Sequence, residues 1–117
     1  MPGLSIHVVD VTTGTPAHGM RVEVYAIGVS RTVLGDAVVG VSGGVELPQL
    51  ASHRCAAGIY ECLFHAGAWY RERGVALPTP PFLELVPFRF GIADPEQHYH
   101  LPLKLSPWGF SLFRGGA

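Results

Sequence analysis

Short runs of alternating apolar and polar residues make up most of the chain, and Gly, Pro and Ser separate them. Alternation with a period of two is typical of β-strands that bury one face, whereas amphipathic helices repeat every three to four residues. The pattern predicts an all-β fold, an eight-stranded sandwich of two sheets. The predicted strands cover residues 4–11, 20–29, 32–41, 45–48, 58–66, 84–91, 97–105 and 109–113.

Residues 67–73 depart from this alternation and predict one short helix. The segment contains no β-branched residue, and it is followed by Gly74, a residue type that commonly ends helices. The three prolines between residues 78 and 81 then favour an extended connection into the next strand. No repeat, low-complexity tract or linker interrupts the chain, so we expect residues 1–117 to form a single domain.

Two of the predicted strands carry histidines on the side opposite their apolar face. In the first strand, His7 points away from the face that holds Leu4 and Ile6. In the strand at 97–105, one face holds Tyr99, Leu101, Leu103 and Leu105, and the other holds His98, His100, Pro102 and Lys104. Imidazoles titrate near neutral pH and can both accept and donate protons. We therefore take His7, His98 and His100 as a candidate proton-transfer site.

Two other kinds of site are possible for these residues. His98 and His100 have a metal-ligand spacing, and His7 could complete a three-histidine zinc site. No cysteine or carboxylate clusters near these motifs, so we favour proton transfer without a metal. The chain also lacks a Gly-x-Ser-x-Gly nucleophile motif, and we interpret Ser111 as a binding or structural hydroxyl. The remaining histidines are interpreted as surface or structural residues: His18, His53 and His65.

The amino-acid composition indicates which kinds of partner the chain can bind. With 48% hydrophobic and 15% charged residues, a chain of 117 residues can bury a core and still expose apolar surface for subunit contacts. The net charge is -1 and no Lys/Arg run exists, which argues against nucleic acid. No apolar run reaches the roughly 20 residues of a membrane span. Without a signal-peptide pattern we expect a cytoplasmic location, with Cys55 and Cys62 as free thiols.

Several motifs, in their order along the chain, resemble the transthyretin-like family. They are Leu4-Ser-Ile-His-Val-Val-Asp10, Thr13-Gly-Thr-Pro-Ala17, Val22-Glu-Val-Tyr25, Phe82-Leu-Glu-Leu-Val-Pro-Phe-Arg-Phe-Gly-Ile92, His98-Tyr-His-Leu-Pro102 and Leu105-Ser-Pro-Trp-Gly-Phe-Ser111. The resemblance implies a transthyretin-like (prealbumin-like) β-sandwich with its short helix between the fifth and sixth strands. It also implies a homotetramer, a dimer of dimers with sites between the dimers.

In most bacterial members this pattern accompanies hydrolysis of 5-hydroxyisourate, a cyclic amide of purine catabolism and urate degradation. The resemblance implies a small-molecule substrate and no cofactor. It assigns the proton transfers to His7 and His100, one activating water and the other positioning the water or protonating the departing nitrogen. The residues it places on the substrate side are His98, Val45, Ser111, Phe113 and Arg114. Arg114 either contacts substrate or fixes the C-terminal tail.

Two motifs depart from the family pattern. Gly43-Gly-Val45 stands where the family has Asp-Gly-Arg, and Phe113-Arg-Gly-Gly116 stands where it has Tyr-Arg-Gly-Ser. Loss of one oxyanion donor typically costs about 10²–10³ in rate. Two interpretations stay open: a pocket retuned for a less polar ring, such as an N-methylated one, or a non-catalytic relative that binds a small apolar ligand between subunits. Arg31 or Arg54 could also supply the missing cation.

Overall fold

The computed structural model describes residues 2–47, 50 and 55–116. His53 and Arg54, and the end of the predicted strand at 45–48, lie outside the described residues. The elements are β1 (Gly3–Asp10), β2 (Thr15–Pro16), β3 (Arg21–Ile27), β4 (Arg31–Val38), β5 (Gly58–Phe64), α1 (Ala66–Glu72), β6 (Val86–Ile92), β7 (His98–Ser106) and β8 (Gly109–Leu112).

In this part of the chain the eight strands form two four-stranded sheets. The first has the order β2-β1-β7-β8 and the second the order β4-β3-β5-β6. Buried apolar residues from both sheets make one core between them. The predicted all-β sandwich is therefore confirmed, with α1 between β5 and β6 as expected.

The predicted strand at 45–48 is wrong in its described part. Gly44 and Val45 form only isolated bridges, with His7 and Val39 respectively. The eighth strand is instead β2, which pairs with the end of β1. With only two residues, β2 is too short to show an alternating pattern, and for that reason the sequence did not reveal it.

Strands β1 and β7 lie side by side and run parallel, with Leu4 opposite Tyr99 and Ile6 opposite Leu101. Residues opposite each other in a ladder share a face, so the apolar positions of both strands point into the core together. These positions are buried as predicted: Leu4, Ile6, Val8, Tyr99, Leu101, Leu103 and Leu105. The intervening positions of β1 and β7 are left on the outer face of the sheet.

The helix is fixed to the first sheet through a buried carboxylate. Asp10, at the end of β1, is only 2% exposed. The Tyr70 hydroxyl donates to its Oδ1 atom over 2.7 Å, and the hydroxyls of Thr12 and Thr13 also donate to the carboxylate. Burial alone would raise the pKa of Asp10, but these hydrogen bonds outweigh it and the pKa lies below its usual value.

The ends of the helix agree with the sequence to within one residue, since α1 covers Ala66–Glu72 rather than 67–73. Gly74 follows with a φ of +77°, and its N–H bonds to the carbonyl of Arg71, as expected for a glycine that ends a helix. Cys55 and Cys62 are buried free thiols, as predicted. Within the described ranges, no helix is both long and apolar enough to cross a membrane.

Candidate active site

The outer face of β1 and β7 carries three histidines and one serine. In the parallel register, Ser5 is opposite His100, His7 is opposite Pro102, and His98 is opposite Gly3. All four polar side chains are half-buried. The structure thus brings together the three histidines that the sequence pattern selected.

Ser5 lies between two of the imidazoles. Its Oγ atom is 2.7 Å from Nε2 of His98 and 2.7 Å from Nδ1 of His100. The two histidines are two residues apart on one strand face, about 7 Å, so their rings are bridged by the hydroxyl. The sequence pattern did not single out Ser5, although it lies two residues before His7 on the same strand face.

His7 is oriented by the loop that precedes Val45. Its Nε2 atom lies 2.9 Å from the carbonyl oxygen of Ser42. A carbonyl oxygen can only accept a hydrogen bond, so Nε2 carries the proton and, in the neutral ring, the lone pair is on Nδ1. The peptide oxygen of Gly43 also accepts a bond from the N–H of Val8, 2.9 Å away, which holds this loop against β1.

His100 is electrostatically suited to stay neutral. Burial lowers its pKa below the ordinary histidine value, and the nearby His7 and His98 lower it further. Burial disfavours the charged ring because it removes water, and each neighbouring imidazolium would repel a second positive charge. At neutral pH the ring of His100 can therefore accept a proton.

The C-terminal tail runs along the outer edge of β7 beside these residues. The N–H of Gly115 donates to the carbonyl oxygen of His100 over 2.6 Å. A Cβ atom at Gly115 would stand 2.9 Å from Cδ2 of His100, so the tail backbone lies directly against the ring. This contact orients the histidine from the side opposite β1.

Arg114 is engaged in contacts that hold the tail. Its guanidinium lies 3.9 Å from the centre of the Tyr99 ring, and it donates to Oε1 of Gln97 and to the carbonyl of His98 over 3.0 and 3.3 Å. Of the two roles that the sequence left open, these contacts support the fixing of the tail.

The backbone register fixes the positions of Gly44 and Val45 relative to β1. His7 pairs with Gly44, and the next residue, Val45, donates its N–H to the carbonyl of Ile6, 3.1 Å away. Val45 accordingly shares the inward side of Ile6 and packs against the core. By this register Gly44, one residue before Val45, shares the outer face of His7.

Ser111 and Phe113 lie farther along the same face. Ser111 pairs with Lys104, four residues from His100, or about 13 Å along the strand. Phe113 follows β8, is 47% exposed, and lies between Ser111 and the part of the tail that contacts His100. Within this chain, Phe113 is thus much nearer to the histidines than Ser111 is.

Arg31, one of the two cations considered as replacements, lies on the other sheet. Its guanidinium is 4.1 Å from the centre of the Tyr25 ring. His18 and His65 have structural contacts: the carbonyl of His18 accepts a bond from Trp69, and His65 lies 2.6 Å from a carboxylate oxygen of Glu23. Among residues 2–47, 50 and 55–116, no three or more His, Cys, Asp or Glu side chains are arranged to hold a metal ion.

The similarity of this chain to known proteins extends over nearly its whole length. The model of the HIUase/Transthyretin family matches residues 4–115. The 5-hydroxyisourate hydrolase 2 of Rhizobium meliloti (strain 1021) is 47% identical over 113 residues, which cover 96% of this chain and 94% of that protein.

Two solved structures have closely similar folds. The structure of Klebsiella pneumoniae 5-hydroxyisourate hydrolase superposes with a TM-score of 0.82 at 29% identity, over 99% of this chain and 100% of that one. The crystal structure of (S)-allantoin synthase gives a TM-score of 0.87 at 33% identity, over 97% of this chain. This chain spans only 43% of the synthase chain.

Proposed function

The chain belongs to the HIUase/Transthyretin family, and we propose that it is a cyclic amide hydrolase that opens the ring of 5-hydroxyisourate, or of a modified analogue such as an N-methylated one, in purine catabolism. The observation that carries this proposal is the shared outer face of His7, His98 and His100, with two imidazoles oriented by hydrogen bonds. The names of the hydrolase relatives supply the substrate class.

His7 and His100 take different roles in the reaction. A neutral imidazole removes a proton from water as the water oxygen bonds to the ring carbonyl carbon. The second imidazole positions that water, and the proton taken from it is returned to the ring nitrogen as the carbon–nitrogen bond breaks. His100 suits the first role because its pKa is lowered and it is neutral at pH 7. His7, with its Nε2–H held by Ser42, presents the lone pair of Nδ1, which can accept a hydrogen bond from the attacking water and position it.

The residues on the substrate side of the site are less polar than the family's residues at the same positions. This difference favours a substrate with a less polar ring. Gly44 is the residue opposite His7, and the arginine of the family's turn has no counterpart there. Phe113 brings an aromatic ring without a hydroxyl, and Gly116 brings no side chain. A pocket without buried donors tolerates methyl groups that an unpaired donor would reject. N-alkylated rings are therefore the analogues that this pocket accepts best.

We further propose that the protein is a homotetramer, a dimer of dimers with its sites between the dimers. Exposed apolar side chains support association: Val33, Ile59, Phe82, Leu85, Trp108, Phe110 and Phe113. Open strand edges at β4, β6 and β8 offer further pairing surfaces. Light scattering should give about four times the monomer mass of 12.6 kDa, and a mass near 12.6 kDa would contradict the tetramer.

We also propose a cytoplasmic location, because two free thiols suit the reducing conditions of the cytoplasm.

The decay of freshly generated 5-hydroxyisourate, followed by ultraviolet absorbance, tests the proposed function. We expect the protein to accelerate it and the rate to be unchanged after dialysis against a chelator. Inhibition that zinc reverses would instead support a three-histidine zinc site. No acceleration, together with stoichiometric binding of an apolar aromatic ligand, would support the alternative of a non-catalytic binding protein.

A further inference from the structure

The Ser5 hydroxyl has one proton but two imidazole neighbours at 2.7 Å. It can donate to only one ring and must accept from the other. Two arrangements are therefore possible. In one, His98 donates from Nε2 to Oγ and Ser5 donates to Nδ1 of His100. In the other, His100 donates from Nδ1 to Oγ and Ser5 donates to Nε2 of His98. The protonation of the two rings is linked through this hydroxyl.

We propose that Ser5 is a positioning residue that relays a proton between His100 and His98, so that the positive charge formed during ring opening ends on His98. This inference rests on the proposed function and assigns a role to a residue that the proton-transfer scheme above does not use. In the resting state, His100 donates its Nδ1–H to Ser5, and Ser5 donates to Nε2 of His98. The lone pair on Nε2 of His100 is then free to act as the base.

The proton movements balance at each atom. Nε2 of His100 gains a proton from water, Nδ1 of His100 passes its proton to Oγ of Ser5, and Oγ passes its own proton to Nε2 of His98. His100 stays neutral, His98 becomes an imidazolium, and hydroxide is added to the ring carbonyl. When the carbon–nitrogen bond breaks, the reverse transfers return a proton through His100 to the ring nitrogen.

The geometry favours transfer of the proton from His100 through Ser5 to His98. Ser5 stands directly opposite His100 in the parallel register, a fixed position on a paired strand. The tail backbone lies against the ring of His100, and its burial opposes a charge there. A charge on His98, one position farther from His7, avoids two imidazolium groups beside the substrate.

Nitrogen-15 NMR of the two imidazoles tests the relay without any substrate. In the wild type, we expect the ring nitrogens of His100 to change their tautomer signals at the same pH at which His98 titrates. In Ser5→Ala the two rings should titrate independently. Ser5→Thr keeps a hydroxyl on the same Cβ and should preserve the linked response. Independent titration in the wild type would overturn the relay, whatever the substrate is.

The steady-state kinetics of Ser5 variants provide a second test of the relay. Ser5→Ala should lower kcat about 10-fold or more with KM within about twofold, which is part of the usual contribution of a positioned acid–base group. Ser5→Thr should keep kcat within about threefold. His98→Gln combined with Ser5→Ala should cost no more than either change alone, since both break one chain. Equal losses in Ser5→Ala and Ser5→Thr, or additive losses in the double variant, would overturn the proposal. A wild type that is inactive on 5-hydroxyisourate would refute the proposed function while the NMR result still decides the relay.

Discussion

Gly43 lies so close to His7 that a Cβ atom at residue 43 would stand 2.5 Å from Nε2 of the imidazole. The same glycine has a φ of +97°, a conformation that other residues adopt only with strain. Its neighbour Ser42 provides the carbonyl that fixes the ring. The position of the imidazole therefore depends on the absence of a side chain in the adjoining loop.

Gly43→Ala should displace His7 and lower turnover of 5-hydroxyisourate by about 10-fold or more, because misplacing a reacting group by about 1 Å can cost up to 10²-fold. The free energy of unfolding should fall by about 1–3 kcal/mol from backbone strain. Steady-state kinetics and urea denaturation measure the two effects.

Gly14→Ala is the matched control for backbone strain. Gly14 has a φ of +72°, but a Cβ atom there would meet nothing within 4 Å. This variant should lose a similar amount of stability and keep its activity. If both variants lost activity equally, crowding of His7 would not be the cause.

The pKa of His100 predicts a pH dependence of both activity and stability. Because its pKa in the folded protein lies below the ordinary histidine value of 6.5, kcat/KM should rise with pH along an acid limb centred below pH 6.5. The unfolded chain has the ordinary, higher pKa at His100. At a pH between that value and the lower pKa of the folded protein, His100 is therefore protonated more often in the unfolded chain than in the native state. The free energy of unfolding should therefore fall as the pH drops below about 6.5.

Kinetics between pH 5 and 8, with urea unfolding at the two extremes, would measure both trends. In His100→Gln, the free energy of unfolding should depend less on pH below about 6.5, because this ring no longer contributes. An acid limb centred above pH 6.5 would contradict the assignment of His100 as the neutral base.

The buried Asp10 predicts a large stability loss when a donor is removed. Tyr70→Phe leaves the carboxylate without its 2.7 Å bond from helix α1, and we expect a loss of about 1.5–3 kcal/mol, the usual range for hydrogen bonds to charged groups. Tyr60→Phe removes a bond to the neutral carbonyl of Ala56 and should cost only about 0.5–1.5 kcal/mol. Urea unfolding at one fixed protein concentration gives the comparison. Equal losses would argue against a special role for the carboxylate.

The register of residues 44 and 45 predicts opposite effects of one arginine at the two positions. A Cβ atom at Gly44 would meet only Ser42 Oγ, at 3.9 Å, and its φ is outside the left-handed region. Gly44→Arg should therefore fold and raise kcat/KM for unmodified 5-hydroxyisourate by about 10-fold, a fraction of what a well-placed oxyanion donor contributes. Val45→Arg should destabilise the protein by about 1–3 kcal/mol, because it replaces a partly buried apolar side chain that packs against the core. A gain of activity in Val45→Arg would show that Val45 faces substrate after all.

The sequence revealed those parts of the fold and site that follow from the two-residue period of long strands. That period placed Leu4 and Ile6 inside and His7, His98 and His100 outside, because nine-residue β7 and eight-residue β1 are long enough to show it. The period could not show which residue of the irregular loop after β4 faces His7. That depends on which loop residue pairs with β1, and the two segments are far apart in the sequence. The hydrogen bonds of Ser5 likewise depend on the pairing of residues 93 and 95 positions apart.

The proposed hydrolysis by His7 and His100 is tested by the rate of ring opening, measured side by side on freshly generated 5-hydroxyisourate and an N-methylated analogue. We expect wild-type protein to accelerate both reactions, with unmodified 5-hydroxyisourate turned over poorly and the analogue comparatively faster. His7→Gln and His100→Gln should each lose at least about 10²-fold, the usual contribution of a positioned acid–base group. Unchanged turnover in both histidine variants, or acceleration of neither reaction by the wild type, would contradict hydrolysis by these two histidines.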